Sequence, residues 1–216
     1  AQRLAGSLQW LTTRSRPDIA YTVSRIASVA TTAPEWALQM GMRLLRYVRQ
    51  TVEYGIMYTP FSYKAQESDL KTYSDASWGP DGGDTSHLGA IVFWAGCAVA
   101  WRSCRATLAA TSSCECELQA ASPGFILGSG VQSLLESVGV YATHKLAIDN
   151  TAAIAILDSR TTWRTRHLAM RANSLRDHVR LGFVVVQYVQ TGEQLADCLT
   201  KHTLADAYQR LMAMRR

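Results

Sequence analysis

The sequence contains no apolar run close to the roughly 20 residues that a membrane span needs, and no signal-peptide pattern opens it. It also has no internal repeat and no low-complexity tract. Cysteine is scarce: there are five, an odd number without paired spacing, which argues against a disulfide framework and suits a reducing compartment. The closest pair, Cys114 and Cys116, lacks the spacing of zinc ligands. Secreted disulfide scaffolds, zinc modules and membrane-spanning proteins are therefore not expected.

Acidic residues are few in the N-terminal part. Residues 1–64 carry eight Lys/Arg against three Asp/Glu, a net charge of +5, whereas residues 65–216 carry fourteen of each. A basic extension beside a neutral region suits a polyanionic partner. Arginines that only solvate helix faces would give the same balance, so charge alone leaves both interpretations open.

Helical periodicity dominates residues 1–64. Apolar stripes predict helices over residues 1–12, after Pro17 and from Pro34 to Gly55, followed by a short strand at residues 56–58. A polar linker then precedes a boundary near residue 65. Because the pattern is already helical at Ala1, we expect a fragment or a processed product, divided into a helical segment (1–64) and a second unit (65–216).

Residues 65–216 alternate between strand and helix patterns. Strands are predicted to end at Asp75 and to cover residues 87–94, 98–102, 145–148 and 183–189; helices are predicted from the cap at 111–113 to 138, and over 151–157, 165–180 and 204–214. Pro123 and three glycines weaken the first of these helices. This order predicts an α/β fold, a mixed sheet with helices packed on it.

Four carboxylates fall where they can converge. Asp75 ends the first strand, Glu117 lies in the first turn of the following helix, Asp149 follows the fourth strand and Asp197 lies near the last helix. Converging carboxylates raise each other's pKa unless divalent cations neutralise them. Oxygen ligands without a His/Cys cluster favour Mg²⁺ or Mn²⁺, and two such ions can activate a water on a phosphodiester. Each acid alone has an ordinary structural explanation, so the prediction rests on the set of four.

The residues around these acids carry a family resemblance. Residues 73–78 read Y-S-D-A-S-W for Y-S-D-A-D-W, 112–117 read S-S-C-E-C-E for S-S-T-E-A-E, 164–168 read R-T-R-H-L for R-T-K-H-I, and 194–201 read Q-L-A-D-C-L-T-K for Q-L-A-D-I-F-T-K, with the D-N pair at Asp149. They resemble the ribonuclease H domain of copia-type LTR retrotransposons. Residues 6–11, 13–21 and 44–48 resemble the segment that joins the reverse-transcriptase palm to that nuclease.

This resemblance implies a ribonuclease H-like mixed five-stranded sheet flanked by helices and preceded by a small helical extension, the thumb/connection-like segment. It implies a Mg-dependent endonuclease that cleaves the RNA strand of RNA–DNA hybrids as part of a reverse transcriptase. Two Mg (or Mn) ions would be bound by the four acids Asp75, Glu117, Asp149 and Asp197. The partners would be the hybrid and the polymerase domain of the same polyprotein, inside the cell, in a cytoplasmic particle or the nucleus.

Glu117 rather than Glu115 matches the family motif, because Leu118-Gln119-Ala120 follows it. Substrate contacts are assigned by position more than by motif, to phosphates and to the RNA 2′-hydroxyls. These residues are Arg102, Arg105, Ser113, Asn150, Arg166 and His167. For His167 a packing or capping role competes with a substrate role. The tryptophans, Trp10 and Trp36 among them, are expected in the core.

Departures from the family pattern keep other interpretations open. Pro123-Gly124 and two further glycines interrupt the first helix of the nuclease unit, and His202 replaces the proline that normally follows the final T-K. The alternative is a decayed or repurposed copy that acts as a non-catalytic scaffold for a protein partner, with residues 125–138 as its contact face. A third class is a pure nucleic-acid-binding module that rests on the arginines. The intact set of four acids favours the nuclease.

Overall fold

The computed structural model describes residues 1–58, 69–79, 85–158 and 166–202, with the backbone alone at residues 69, 166, 167 and 169–171. The helices are α1 Gln2–Arg14, α2 Ala20–Val29, α3 Pro34–Gln50, α4 Ser113–Ser137, α5 Thr151–Leu157 and α6 Arg166–Arg180. The strands are β1 Asp69–Ser77, β2 His87–Trp94, β3 Cys97–Arg105, β4 Thr143–Ile148 and β5 Val185–Tyr188. Short 3₁₀ turns cover Pro17–Ile19, Thr191–Glu193 and Asp197–Leu199.

One mixed sheet forms the centre of the second unit, with the strand order β3-β2-β1-β4-β5. β1 pairs antiparallel with β2 and parallel with β4, and β4 pairs parallel with β5. The predicted ribonuclease H-like mixed five-stranded sheet with flanking helices is thereby confirmed. β1 does not end at Asp75, as the sequence predicted, but continues to Ser77, because its pairing with β2 extends to His87.

β2 and β3 form a hairpin with a two-residue turn. Ala95 and Gly96 occupy the left-handed region, with φ of 50° and 76°. Two successive residues with positive φ match the right-handed twist of the flanking strands. The predicted hairpin is confirmed, and β3 extends three residues beyond the predicted strand, to Arg105.

The long helix α4 begins at a capping arrangement and runs through its proline. The hydroxyl of Ser112 accepts a hydrogen bond from the Glu115 amide (3.2 Å), and the Glu115 carboxylate accepts from the amide of Thr111 (2.8 Å). These bonds satisfy amides that the first helical turn leaves without intrahelical partners. The predicted helix is confirmed, with Pro123 in its interior.

Two glycines of α4 face the sheet. A Cβ at Gly124 would lie 3.1 Å from the Ser74 Cβ, and one at Gly128 would collide with the His144 imidazole and the Thr72 hydroxyl. The helix backbone therefore lies closer to β1 than any larger residue would permit. The glycines that seemed to weaken α4 in the sequence allow this close packing.

The N-terminal helices have their own core and also contact the sheet. Buried apolar residues of α1–α3 form one cluster, in which Leu8, Val23 and Ile26 are central. Ala20 of α2 instead joins a cluster formed with β2, β3 and the Asp197–Leu199 turn. The Trp101 indole donates a hydrogen bond to the Thr12 carbonyl (2.7 Å). The division near residue 65 stays a prediction, because residues 59–68 lie outside the described part.

The link between α1 and α2 is fixed by a buried ion pair. The Arg16 guanidinium donates two hydrogen bonds to Asp18, at 2.8 and 2.7 Å, and a third to the Thr51 carbonyl at the end of α3. The Tyr47 hydroxyl donates to the same Asp18 carboxylate (3.0 Å). A fully partnered buried pair of this kind ties the three helices to one arrangement.

Three predictions for the described residues were wrong. Residues 56–58 form no strand; the Tyr58 hydroxyl instead donates to the Ala98 carbonyl (2.9 Å). Trp10 and Trp36 are 64% and 43% exposed rather than in the core, because α1 and α3 turn smaller residues inward.

The predicted helix 204–214 lies outside the described residues. Within the described chain, every helix is too short or too polar to cross a bilayer.

Gly128→Ala is expected to lower the free energy of unfolding by about 1–3 kcal/mol, because the added methyl overpacks the contact with His144. Gly130→Ala is the matched control: the same helix offers open space there, and alanine should gain about 1 kcal/mol of helix propensity. Urea denaturation measures both variants. Equal stabilities of the two variants would contradict the close packing of α4 on β1.

Candidate metal centre

Two parallel strands and one helix bring three of the predicted acids together. The last residue pair between β1 and β4 is Tyr73 with Ala147, so Asp75 and Asp149 each lie two residues further along neighbouring strands. Glu117 enters from the N-terminal part of α4. The carboxylate oxygens of Asp75, Glu117 and Asp149 lie within 4.8 Å of one another. We call these three residues the acid group.

The acid group is poorly solvated. Asp75 and Glu117 are only 5% and 6% exposed, and Asp149 is half-buried. Burial raises the pKa of Glu117 to about 9, with a contribution from the charges of Asp75 and Asp149. Burial also raises the pKa of Asp75 to about 6, with the charges of Asp197 and Asp149 acting in the same direction. Charged carboxylates are therefore unfavourable here without a cation.

One oxygen of the acid group has no protein partner. Glu117 Oε2 is fully buried and makes no hydrogen bond within the described residues. A buried polar atom without a partner costs free energy, and such atoms often mark a site for an ion or a water. Together with the acid group's all-oxygen donors, this fits a hard divalent cation such as Mg²⁺ or Mn²⁺.

Asp197, the fourth predicted acid, lies beside the acid group but outside it. Its carboxylate pairs with the Lys201 ammonium (2.5 Å), and its side chain is 23% exposed. Its charge still contributes to the raised pKa values of Asp75 and Glu117. The structure thus brings three predicted acids together and places the fourth next to them with a counter-charge.

Glu115 has a different task from Glu117. Its carboxylate accepts hydrogen bonds from the Thr111 amide and from the Thr111 hydroxyl (2.7 Å) at the start of α4. Two residues along a helix point about 200° apart, so Glu115 cannot share the centre with Glu117. It closes the helix cap.

Sequence reasoning missed Thr200. Its side chain is fully buried, and its hydroxyl donates a hydrogen bond to Asp75 Oδ2 (2.5 Å). The only signal was its place in the Q-L-A-D-C-L-T-K motif, which gives no indication of a partner 125 residues away.

The predicted substrate residues are dispersed around the centre. Arg102 and Arg105 of β3 line a cavity of about 440 Å³ beside α4, which Glu115 lines and Glu117 does not. Arg105 also donates to the Thr85 hydroxyl (2.8 Å). Ser113 is the exposed first residue of α4, and the side-chain oxygen of Asn150 accepts from the Ala153 amide (3.0 Å) as the cap of α5. The side chains of Arg166 and His167 lie outside the described part.

No family model matches the chain. It is 33% identical over 210 residues to the retrovirus-related Pol polyprotein from transposon RE1 of Arabidopsis thaliana and 31% identical to that from transposon RE2, each match covering 95% of this chain and 14% of the polyprotein. The Ty1-NL2 Gag-Pol polyprotein of Saccharomyces cerevisiae is 26% identical over 203 residues, which is 93% of this chain and 12% of that protein. The chain thus spans only about one seventh of the length of the relatives it matches.

Among solved structures, LC11-RNase H1, isolated from compost by a metagenomic approach, is similar over 65% of this chain and 99% of its own, with 12% identity and a TM-score of 0.49. Its complex with an RNA/DNA hybrid gives the same identity, coverage and TM-score.

In EDTA, the free energy of unfolding is expected to fall as the pH rises from 6.5 to 9, because Glu117 must lose its proton inside the fold. The raised pKa means that this group's contribution is complete below about 4.5 and is lost as the pH approaches 9. Urea denaturation across this pH range measures it, with Glu117→Gln expected to show a shallower decline. Titration of His144, whose pKa burial lowers to about 4, falls below this range.

Glu136→Gln, an exposed glutamate of the same helix, is the matched control and should keep the wild-type pH dependence. Adding Mn²⁺ at pH 8 should restore stability to the wild type but not to Glu117→Gln. An identical pH dependence in wild type and Glu117→Gln would show that Glu117 titrates normally.

Proposed function

The chain is homologous to one segment of the copia-type retrotransposon Pol polyproteins, and on this premise we propose that it is a ribonuclease H that cleaves the RNA strand of RNA–DNA hybrids. The observation that carries the proposal is the acid group, three carboxylates within 4.8 Å beside the point where the pairing of the parallel strands β1 and β4 ends. Its donors are those of a metal-dependent phosphodiesterase.

Asp75, Glu117 and Asp149 would hold the divalent cations, two Mg (or Mn) ions in our proposal, with Asp197 as the fourth ligand. Such ions, when bound, lower the pKa of a water and stabilise the charge of the leaving oxygen. The unpartnered Glu117 Oε2 supports this assignment, because cation binding would satisfy it. Asp149 is half-buried and the Asp197 side chain is 23% exposed, so these two acids are more accessible to a substrate phosphate than the buried Asp75 and Glu117.

The protein's own residues would bind and orient the hybrid. Lys201 places a positive charge beside Asp197, where a phosphate would arrive. Asn150 is fixed next to Asp149 by its bond to the α5 backbone. We propose Arg102, Arg105 and Ser113 as further phosphate contacts along β3 and the start of α4, and Arg166 and His167 as contacts from α6. Contacts to 2′-hydroxyls would distinguish the RNA strand.

The helical segment, residues 1–64, is proposed to be the thumb/connection-like part of a reverse transcriptase, with the polymerase domain of the same polyprotein as its partner. Its net charge of +5 suits a nucleic-acid backbone that continues from the nuclease.

The scaffold alternative takes residues 125–138 as a contact face, and within that stretch Gly128 packs against β1 and β4. Ile126, Leu134 and Val138 of the same stretch are exposed, so the outer side of α4 still offers an apolar face. A scaffold, however, would gain nothing from the buried carboxyl groups of Asp75 and Glu117, whose charged forms destabilise the fold. We therefore favour the nuclease.

Wild-type protein should cut a labelled RNA–DNA hybrid in Mg²⁺ or Mn²⁺ and not in EDTA. Asp75→Asn or Asp149→Asn should reduce cleavage at least about 100-fold, because each removes a charged ligand, while hybrid binding persists. Asp177→Asn, an exposed aspartate on α6, is the control and should cut at the wild-type rate.

Each alternative gives a different result in this assay. Salt-dependent binding without cleavage would indicate a nucleic-acid-binding module. Neither binding nor cleavage by the wild type would indicate the scaffold.

A further inference from the structure

We propose that Thr200 is a positioning residue that fixes the Asp75 carboxylate for metal binding, and that the segment Gln194–Thr200 is folded to hold it there. The inference rests on the proposed function, since it takes Asp75 as a metal ligand. Its basis is the hydrogen bond of 2.5 Å from the fully buried Thr200 hydroxyl to Asp75 Oδ2.

The sheet leaves room for this segment next to Asp75. Gly89 is the cross-strand neighbour of Asp75 in the β1–β2 pair. A Cβ added to Gly89 would lie 2.8 Å from both the Leu199 Cβ and the Thr200 Cγ2, closer than such atoms approach. The segment therefore packs on the sheet at Gly89, where there is no side chain, and this places Thr200 next to the Asp75 carboxylate.

Two further side chains anchor the segment to the sheet. The Gln194 amide donates to the Ser74 carbonyl (3.0 Å), one residue before Asp75, and its oxygen accepts from the Ala196 amide (3.3 Å). From β3, the Ser103 hydroxyl donates to the Leu199 carbonyl (2.6 Å). The segment is thus held to β1 at one end and to β3 at the other, which restricts where Thr200 can lie.

The helical segment supports this arrangement from outside. The Tyr21 ring of α2 contacts the His87 and His202 rings edge-on, with centroid distances of 4.7 and 4.8 Å. A His87 ring nitrogen lies 2.9 Å from the Ser103 hydroxyl that anchors Leu199. The packing around Thr200 therefore includes residues from α2, β2 and β3.

Asp75 needs such a partner because Asp149 lies within 4.8 Å of it, and two charged carboxylates at this distance repel each other. Without a fixed partner, the Asp75 carboxylate would turn away from Asp149. A hydroxyl that binds one oxygen keeps the group in a single orientation and leaves the other oxygen available to an ion. Hydrogen-bonding partners of metal ligands typically change metal affinity or activity by about 10- to 100-fold when removed.

The variants Thr200→Val and Thr200→Ser distinguish the contribution of the hydroxyl from the contribution of the methyl packing. Valine keeps a methyl against Gly89 and removes the hydroxyl, which contacts both Asp75 and the Asp197 carbonyl (3.0 Å), whereas serine keeps the hydroxyl and removes the methyl. Mn²⁺ binding, followed by the electron paramagnetic resonance signal of free Mn²⁺, should weaken about 10- to 100-fold in Thr200→Val and recover in Thr200→Ser. The kcat for hybrid cleavage should follow the same order, with KM for the hybrid unchanged.

Thr12→Val is the matched control, because it also removes a buried threonine hydroxyl, one that donates to the Arg16 carbonyl far from the acid group. It should lower thermal stability in EDTA without changing Mn²⁺ affinity. Ser103→Ala, which removes an anchor and leaves Thr200 intact, should weaken Mn²⁺ binding less than Thr200→Val does. It serves as the second variant if Thr200→Val does not fold.

Wild-type Mn²⁺ affinity in Thr200→Val, or in Ser103→Ala where Thr200→Val does not fold, would overturn the positioning role. A loss of affinity in Thr200→Ser equal to that in Thr200→Val would overturn it too, since packing alone would then explain both. If the wild type binds Mn²⁺ but cuts no hybrid, the proposed function is wrong while the affinity comparison still tests Thr200. If the wild type binds no Mn²⁺, both are wrong.

Discussion

The crowding of three carboxyl groups, two of them buried, is the constraint on which the rest of this structure depends. The buried Asp75 and Glu117 and the half-buried Asp149 are held within 4.8 Å of one another, where the charged forms of the two buried groups are poorly solvated. The fold achieves this because the carboxylates are fixed by the central strands β1 and β4 and the long helix α4, which cannot move independently of the core. A cation bound by these groups would offset part of the free energy that their charged forms cost the fold.

The closeness of α4 to the sheet makes this geometry possible. Gly124 and Gly128 bring the helix backbone against β1. Glu117, about two turns before Gly124 and three turns before Gly128 on the same helix, is thereby carried close to Asp75. The buried His144, whose ring nitrogen lies 2.9 Å from the Thr72 hydroxyl, fills the space that Gly128 faces. A residue larger than glycine at position 128 would move the helix, and with it one ligand of the acid group.

The sequence predicted the elements and the acids better than the contacts between them. Strand and helix periodicities located the sheet and α4, and the strand ends indicated Asp75 and Asp149, because both patterns are local. The role of Gly128 depends on His144, and the role of Thr200 depends on Asp75, 125 residues earlier. No local pattern contains such pairs. The prediction that Trp10 is buried was wrong for a related reason. Large apolar residues do not always lie on the face that a helix buries.

The fourth acid differs from the others in how it is held, which gives the centre two unequal halves. The acid group is fixed by strands and a long helix, whereas Asp197 lies on a short 3₁₀ turn whose position depends on side-chain hydrogen bonds from Gln194 and Ser103. Asp197 is also more exposed than Asp75 and Glu117, and Lys201 already balances its charge. Replacing the Lys201 ammonium by a metal ion at Asp197 would require less structural change than moving a residue of a strand. In the proposed site the acid group would therefore define where a cation binds, and Asp197 could exchange the Lys201 counter-charge for a cation without moving the anchored turn.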